Sequence, residues 1–227
     1  MSDNLKLIID VVVLILVAVF VPTITLLGYK MYKTKNTKTL LTILVLILLG
    51  LELVRFFYNA TLYDAAKVPS SNLTFSFISF GAVISLFAVF ANSKVGRFFR
   101  RINILTVLVP IILGAAFPHI INLPNDTYTV MKALYFVETG LYLAIAVVFV
   151  VLEKIKLNWI SVAEASGFTL AYIGVNAMTI HFFETPIDYN LTYYLTMAFA
   201  LLSVVIAFAY YVLYIKVSKE KTQVRAN

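Results

Sequence analysis

Long apolar runs broken by short polar stretches give this chain its pattern. The runs cover residues about 7–29, 39–60, 74–92, 102–122, 131–152, 158–183 and 191–215. A bilayer's hydrocarbon core is about 30 Å thick and takes roughly 20 apolar residues of helix to cross. In lipid, every backbone amide must also find its partner within its own segment or in a closed barrel. Each run is therefore predicted to be a transmembrane helix. The run 74–92, TFSFISFGAVISLFAVFAN, is the most polar of the seven, with several serines but no charge. Connections are short, the longest near 61–73, and neither a low-complexity linker nor an internal repeat divides the chain. The expected fold is all-α: a single bundle of seven membrane helices, residues 1–227, with little outside the bilayer. The first run is too long for a signal-peptide core and continues past Pro22, so a retained span is expected there.

Basic residues orient the bundle, because Lys and Arg in short loops stay on the cytoplasmic side. Lys30, Lys33, Lys35 and Lys38 follow the first run. Lys94, Arg97, Arg100 and Arg101 follow the third, Lys154 and Lys156 the fifth, and Lys216, Lys219, Lys221 and Arg225 the last. Fourteen of the 18 basic residues thus fall on one side. The acids lean the other way, with Asp3, Asp10, Glu52, Asp64, Asp126, Glu138, Glu184 and Asp188 on or near the opposite side. The N-terminus is predicted outside and the C-terminus in the cytoplasm, in the cell membrane. All four Asn-x-Ser/Thr sequences, at Asn59, Asn72, Asn125 and Asn190, fall on the predicted outer side. Asn72 and Asn125 lie furthest from the membrane and are the candidates for glycosylation.

Composition fits this picture. Hydrophobic residues make up 62% and charged residues 13%, against about 25% charged in soluble domains, and mean hydropathy is +0.95. Cysteine is absent. That excludes disulfides, thiolate metal sites, iron–sulfur clusters and c-type haem attachment. The net charge of +7 is topological charge next to anionic lipid. The expected partners are therefore the bilayer and other membrane subunits, or a second copy of the chain, rather than nucleic acid. No H-E-x-x-H, G-x-S-x-G or Gly-rich phosphate loop occurs, and the eight glycines are dispersed. No catalytic residue is assigned, and enzymatic activity of the chain on its own is not expected.

Ionisable groups inside the predicted spans carry the functional signal, because charges in hydrocarbon are expensive and usually face a partner or a cavity. Glu52 and Arg55 are spaced i, i+3 and share a helix face. They form either a structural ion pair or part of a pocket in which Arg55 holds an anionic group. Glu138 lies within the fifth run, flanked by Tyr135 and Tyr142. It suits a proton carrier or a hydrogen bond to a ligand, or else a structural carboxyl satisfied by tyrosine or by Arg55. Glu164 stands apart from the other acids, in the inner half of the sixth run. Ala163, Gly167, Ala171, Gly174 and His181 follow one stripe of that helix. Such small residues let a neighbouring helix approach closely.

The only two histidines, His119 in AAFPHI and His181 in MTIHFFETP, close the fourth and sixth runs. Alternation places both near the outer surface on helices running the same way. Two neutral imidazoles from different helices can ligate a haem iron, so a b-type haem held by His119 and His181, with Arg55 at a propionate, is one expectation. A metal site of His119, His181, Glu138 and Glu184 is another. Two unconnected interfacial histidines are the plain alternative.

Seven spans with an external N-terminus resemble the layout of microbial rhodopsins and seven-helix receptors. A retinal opsin needs a buried lysine in its last helix, and LTYYLTMAFALLSVVIAFAYYVLY has none, so the resemblance implies layout only. The leading functional expectation is a subunit of a larger membrane assembly with an outward-facing redox- or proton-linked site at His119 and His181. A transporter or channel component is the alternative, with Glu52, Arg55, Glu138, Glu164 and Glu184 marking a polar route. A receptor-like or structural membrane protein is the third class.

Overall fold

The computed structural model describes residues 3–31, 36–62, 77–91, 93–111, 128–183 and 212. Among them are six helices and no strand: α1 (Asp3–Met31), α2 (Thr37–Leu62), α3 (Phe77–Phe90), α4 (Ser93–Thr106), α5 (Tyr128–Val151) and α6 (Trp159–Phe183). Three stretches are long and apolar enough to cross a membrane, Ile8–Met31, Thr37–Arg55 and Lys132–Val151, and Gly81–Phe90 is a shorter apolar helix. The predicted run 191–215, apart from residue 212, and about half of 102–122 lie outside the described residues.

Local chemistry sets the helix ends. Asn36 caps α2, its side-chain oxygen accepting from the Thr39 amide at 3.3 Å. Asn158 caps α6 reciprocally: the Ser161 amide donates to Asn158 Oδ1 at 2.9 Å, and the Asn158 amide donates to Ser161 Oγ at 3.1 Å. These bonds satisfy amides that a helix start otherwise leaves without partners. At the far end of α5, Lys154 takes φ of 54°. This left-handed turn lets the Ile155 amide reach back to the Phe149 carbonyl at 3.2 Å and ends the helix.

The basic stretch that reads as a loop between the third and fourth runs is helical instead. It forms the first turns of α4, which begins three residues after α3 ends. Gly96 lets α4 lie close to the end of α3, since a Cβ there would lie 2.7 Å from the Ala91 carbonyl oxygen. The hairpin is antiparallel. Arg100 Nε donates to the Ala88 carbonyl at 2.8 Å, and one turn on, Asn103 Nδ2 donates to Ser85 Oγ at 3.0 Å.

At the centre lies α5, packed against α1, α2, α3 and α4. In its apolar window 67% of residues are buried, against 17% in α1 and 22% in α2. Gly140 lets α1 come close, since a Cβ would meet Val17 Cγ1 and Val21 Cγ2 at 3.0 Å. Leu41, Val45 and Leu48 of α2 and Ile145, Val148 and Phe149 of α5 belong to one core cluster. The outer faces of α1 and α2 stay apolar, with Leu16, Val19, Phe20, Leu46, Leu53 and Phe57 all exposed. An apolar face of this extent belongs against lipid or another protein, not water.

Packed on α4 is α6. Arg101 meets Glu164, while Phe98 and Phe99, earlier in α4, meet Phe168, later in α6. Contacts that step in opposite directions belong to an antiparallel or steeply crossed pair. Seven alternating spans would instead set the fourth and sixth helices in the same sense. The small-residue stripe of α6 is not a seam among the described residues. Ala163, Gly167, Ala171 and Gly174 are exposed, and no described atom beyond the helix's own neighbouring backbone lies within 4 Å of a Cβ on either glycine. The buried face is formed by Ser161, Ala165, Thr169 and Tyr172 instead.

Candidate functional site

Near one end of the α2–α5 interface, three charged side chains gather. Arg55 Nη2 donates to Glu52 Oε2 one turn earlier on α2, and Arg55 Nη1 lies 3.3 Å from Glu138 Oε2 on α5. Glu138 is wholly buried, and the side chains of Arg55 and Glu52 are 12% and 17% exposed. The i, i+3 spacing on α2 puts glutamate and arginine on one face, and α5 brings the second carboxyl from across the interface. One guanidinium thus faces two carboxyl groups. Among the described residues, neither Glu138 oxygen has a hydrogen-bond donor, and Glu52 Oε1 also lacks one. Buried polar atoms in proteins are nearly always bonded to protein or ordered water, so three such oxygens at one place are exceptional.

The tyrosines flanking Glu138 do not satisfy it. Tyr135 donates its hydroxyl to the Pro110 carbonyl at 2.6 Å. Tyr142 exchanges a hydrogen bond with Thr106 Oγ1 at 2.8 Å. Of the structural alternatives for Glu138, pairing with Arg55 is the one found.

Further along α5, the helix interface remains polar. Thr139, next to Glu138, is buried with its hydroxyl unpartnered among the described residues. Tyr142 and Thr106 come next, the tyrosine ring lying against Gly81, where a Cβ would be 3.0 Å from Cε1. Ser85 then donates to the Gly81 carbonyl at 2.7 Å and accepts from Asn103, whose own Oδ1 is buried and unpartnered among the described residues. Arg100 closes the row. It pairs with Glu153 at 2.9 Å and sits over the Phe149 ring at 5.7 Å from the centroid, within cation–π range. On α4, Arg100, Asn103 and Thr106 are spaced by three and share one face.

Two further ion pairs tie helices together. Lys132 of α5 pairs with Asp10 of α1, and Arg101 of α4 pairs with Glu164 of α6 at 2.6 Å. Glu164, which in sequence stands apart from other acids, is therefore a cross-helix anchor. Its partner reads in sequence only as loop charge. Arginine and glutamate of matching depth were the available signal, but depth depends on knowing that α4 begins at Ser93.

Among the sequence-predicted site residues, Glu52, Arg55 and Glu138 come together, and Glu164 lies elsewhere, against α4. His181 is placed on α6, but its side chain, like His119, Glu184, Asn72 and Asn125, lies outside the described residues. Among those described, no three His, Asp or Glu gather as a metal-ion site. Ser85, Asn103, Thr106 and Thr139 escape the sequence pattern. Single hydroxyls and amides in apolar runs look the same in sequence whether they face lipid or a neighbouring helix. Comparisons with protein-family models, curated proteins and solved structures find no match to this chain.

Proposed function

We propose that the protein is a multi-pass protein of the cell membrane, with seven spans, an external N-terminus and a cytoplasmic C-terminus, and that it is a proton-linked transport component. Its working site is the Glu52–Arg55–Glu138 cluster. The topology rests on the fourteen basic residues along one side of the predicted bundle and on the apolar helices described above. The site rests on one observation: Glu138 is fully buried, faces a guanidinium already shared with Glu52, and has two oxygens without hydrogen bonds among the described residues.

Among the described residues, two carboxyl groups stand against one arginine, which leaves the cluster able to take up one more positive charge. A proton or a cationic group fits that stoichiometry. Buried charges without compensation are costly, so binding and release there would be coupled to changes in the surrounding helices or in access to water. Such a site suits a carrier better than a structural staple, where a one-to-one pair would suffice. This favours the polar-route expectation. The haem b reading of His119 and His181 keeps its sequence argument alone, and an absorption spectrum of gently solubilised protein decides it.

The test is reconstitution into liposomes with an entrapped pH-sensitive dye. Under an imposed potential, the wild-type chain is expected to carry proton flux, and Glu138→Gln to lose it while keeping wild-type helicity. Flux unchanged in Glu138→Gln, or absent from the wild-type chain, removes the assignment.

A further inference from the structure

The cluster at Glu138 is one end of a longer feature. From it, a row of polar side chains continues through the α3–α4–α5 core: Thr139, Tyr142 with Thr106, then Asn103 with Ser85, and finally Arg100 with Glu153. Thr139, Thr106, Asn103 and Ser85 are all fully buried, as is Tyr142. Two links are direct, Tyr142 to Thr106 at 2.8 Å and Asn103 to Ser85 at 3.0 Å. Elsewhere the row is interrupted at oxygens without a hydrogen bond among the described residues: both oxygens of Glu138, of which Oε2 has its ion pair with Arg55, Thr139 Oγ1 and Asn103 Oδ1.

We infer that internal water fills these interruptions and joins Glu138 to the Arg100–Glu153 pair, with Asn103, Thr106 and Tyr142 holding it in place. Each unpartnered atom is an oxygen able to accept from water. Unmet acceptors in a protein core carry a penalty of about 1–3 kcal/mol each, and ordered water is the usual remedy, typically making about three bonds to such groups. The row has a charged group at each end, since Arg100, one turn before Asn103 on α4, pairs with Glu153. A dry core at this position would have needed only apolar residues, as on the Leu41–Leu48 face of α2.

The use of this water as a proton route rests on the proton-linked reading of Glu138; the water itself does not. Along such a file each water takes one proton and gives another, returning to its own state, while Asn103, an amide, and Ser85 and Thr106, whose hydroxyls donate to the Gly81 and Ile102 carbonyls, only hold the water in place. A proton gained at one end is thus matched by one released at the other. The route would give the Glu138 cluster access to the side opposite its own.

X-ray hydroxyl-radical footprinting of the full chain in nanodiscs tests the water directly, because radicals formed from bound water oxidise the side chains beside it. Tyr142 is expected to be oxidised despite its complete burial, and the labelling is expected to vanish in Asn103→Leu and in the milder Thr106→Val. An unlabelled Tyr142 in the wild-type chain overturns the inference, as does labelling that persists in both variants. The liposome assay separates the two proposals. Labelled wild-type protein without proton flux keeps the water file and removes the proton-linked function. Flux that survives in Thr106→Val after labelling is lost removes the file as the route.

Discussion

Arg55 decides the character of its neighbourhood. It serves Glu52 on its own helix and Glu138 across the interface, so its removal leaves two carboxyl groups facing each other in a buried site. Breaking a buried charge cluster by deleting one partner typically costs about 3–5 kcal/mol. Arg55→Met is therefore expected to lower stability by that order, read as a shift in the midpoint of detergent-induced unfolding followed by circular dichroism. Glu138→Gln removes the surplus acid and keeps the shape, and is expected to cost far less. Equal midpoints for Arg55→Met and wild type would show that the arginine does not hold the carboxyl groups. At this scale the sequence was informative. The i, i+3 spacing of Glu52 and Arg55 and the depth of Glu138 marked all three, although nothing local could show that they meet.

Helix pairing depends on where backbones can approach. Gly140 is such a place. Its missing side chain leaves room for Val17 and Val21 of α1, and small residues at helix contacts permit the close packing that holds helices together in lipid. Gly28, by contrast, has no described atom beyond its own neighbouring helix backbone within 4 Å of the point a Cβ would occupy. Overpacking a tight contact costs about 1–3 kcal/mol. Gly140→Leu is expected to lose that much in the same unfolding assay, while Gly28→Leu, with the same change in helix propensity, should leave stability unchanged or slightly raised. Matching effects at both glycines would argue that α1 and α5 do not meet as described. The α3–α4 hairpin makes a similar point through its turn. The stretch KVGRFFRR reads as a loop because of its charges, yet Gly96 and the polar partners at Ala88 and Ser85 make it a helix. Arg100 and Arg101 then become partners for Glu153 and Glu164.

For the whole molecule, the proposed orientation is open to direct measurement because the chain has no cysteine. Single cysteines introduced by Ser2→Cys and Ser218→Cys give two reporters at the termini. A membrane-impermeant maleimide added to intact cells is expected to label the first and to reach the second only after permeabilisation. The reverse pattern would invert the topology, and labelling of both in intact cells would require an even number of spans. The opposite-stepping contacts of α4 and α6 make this measurement worth more than the charge distribution alone.

The apolar runs by themselves determined that the protein is helical and that it carries segments able to cross a membrane, because backbone amides in lipid allow few alternatives. They also located the ionisable residues that break those runs. Only the tertiary structure decided which faces meet. A helix apolar on every side carries no amphipathic stripe to mark its buried face, and lipid is as apolar as a protein core, so burial and exposure leave the same trace in sequence. What selects the pairing is contact geometry and polar complementarity: Gly140 under Val17, Asn103 against Ser85, Thr106 against Tyr142, and one arginine between two glutamates.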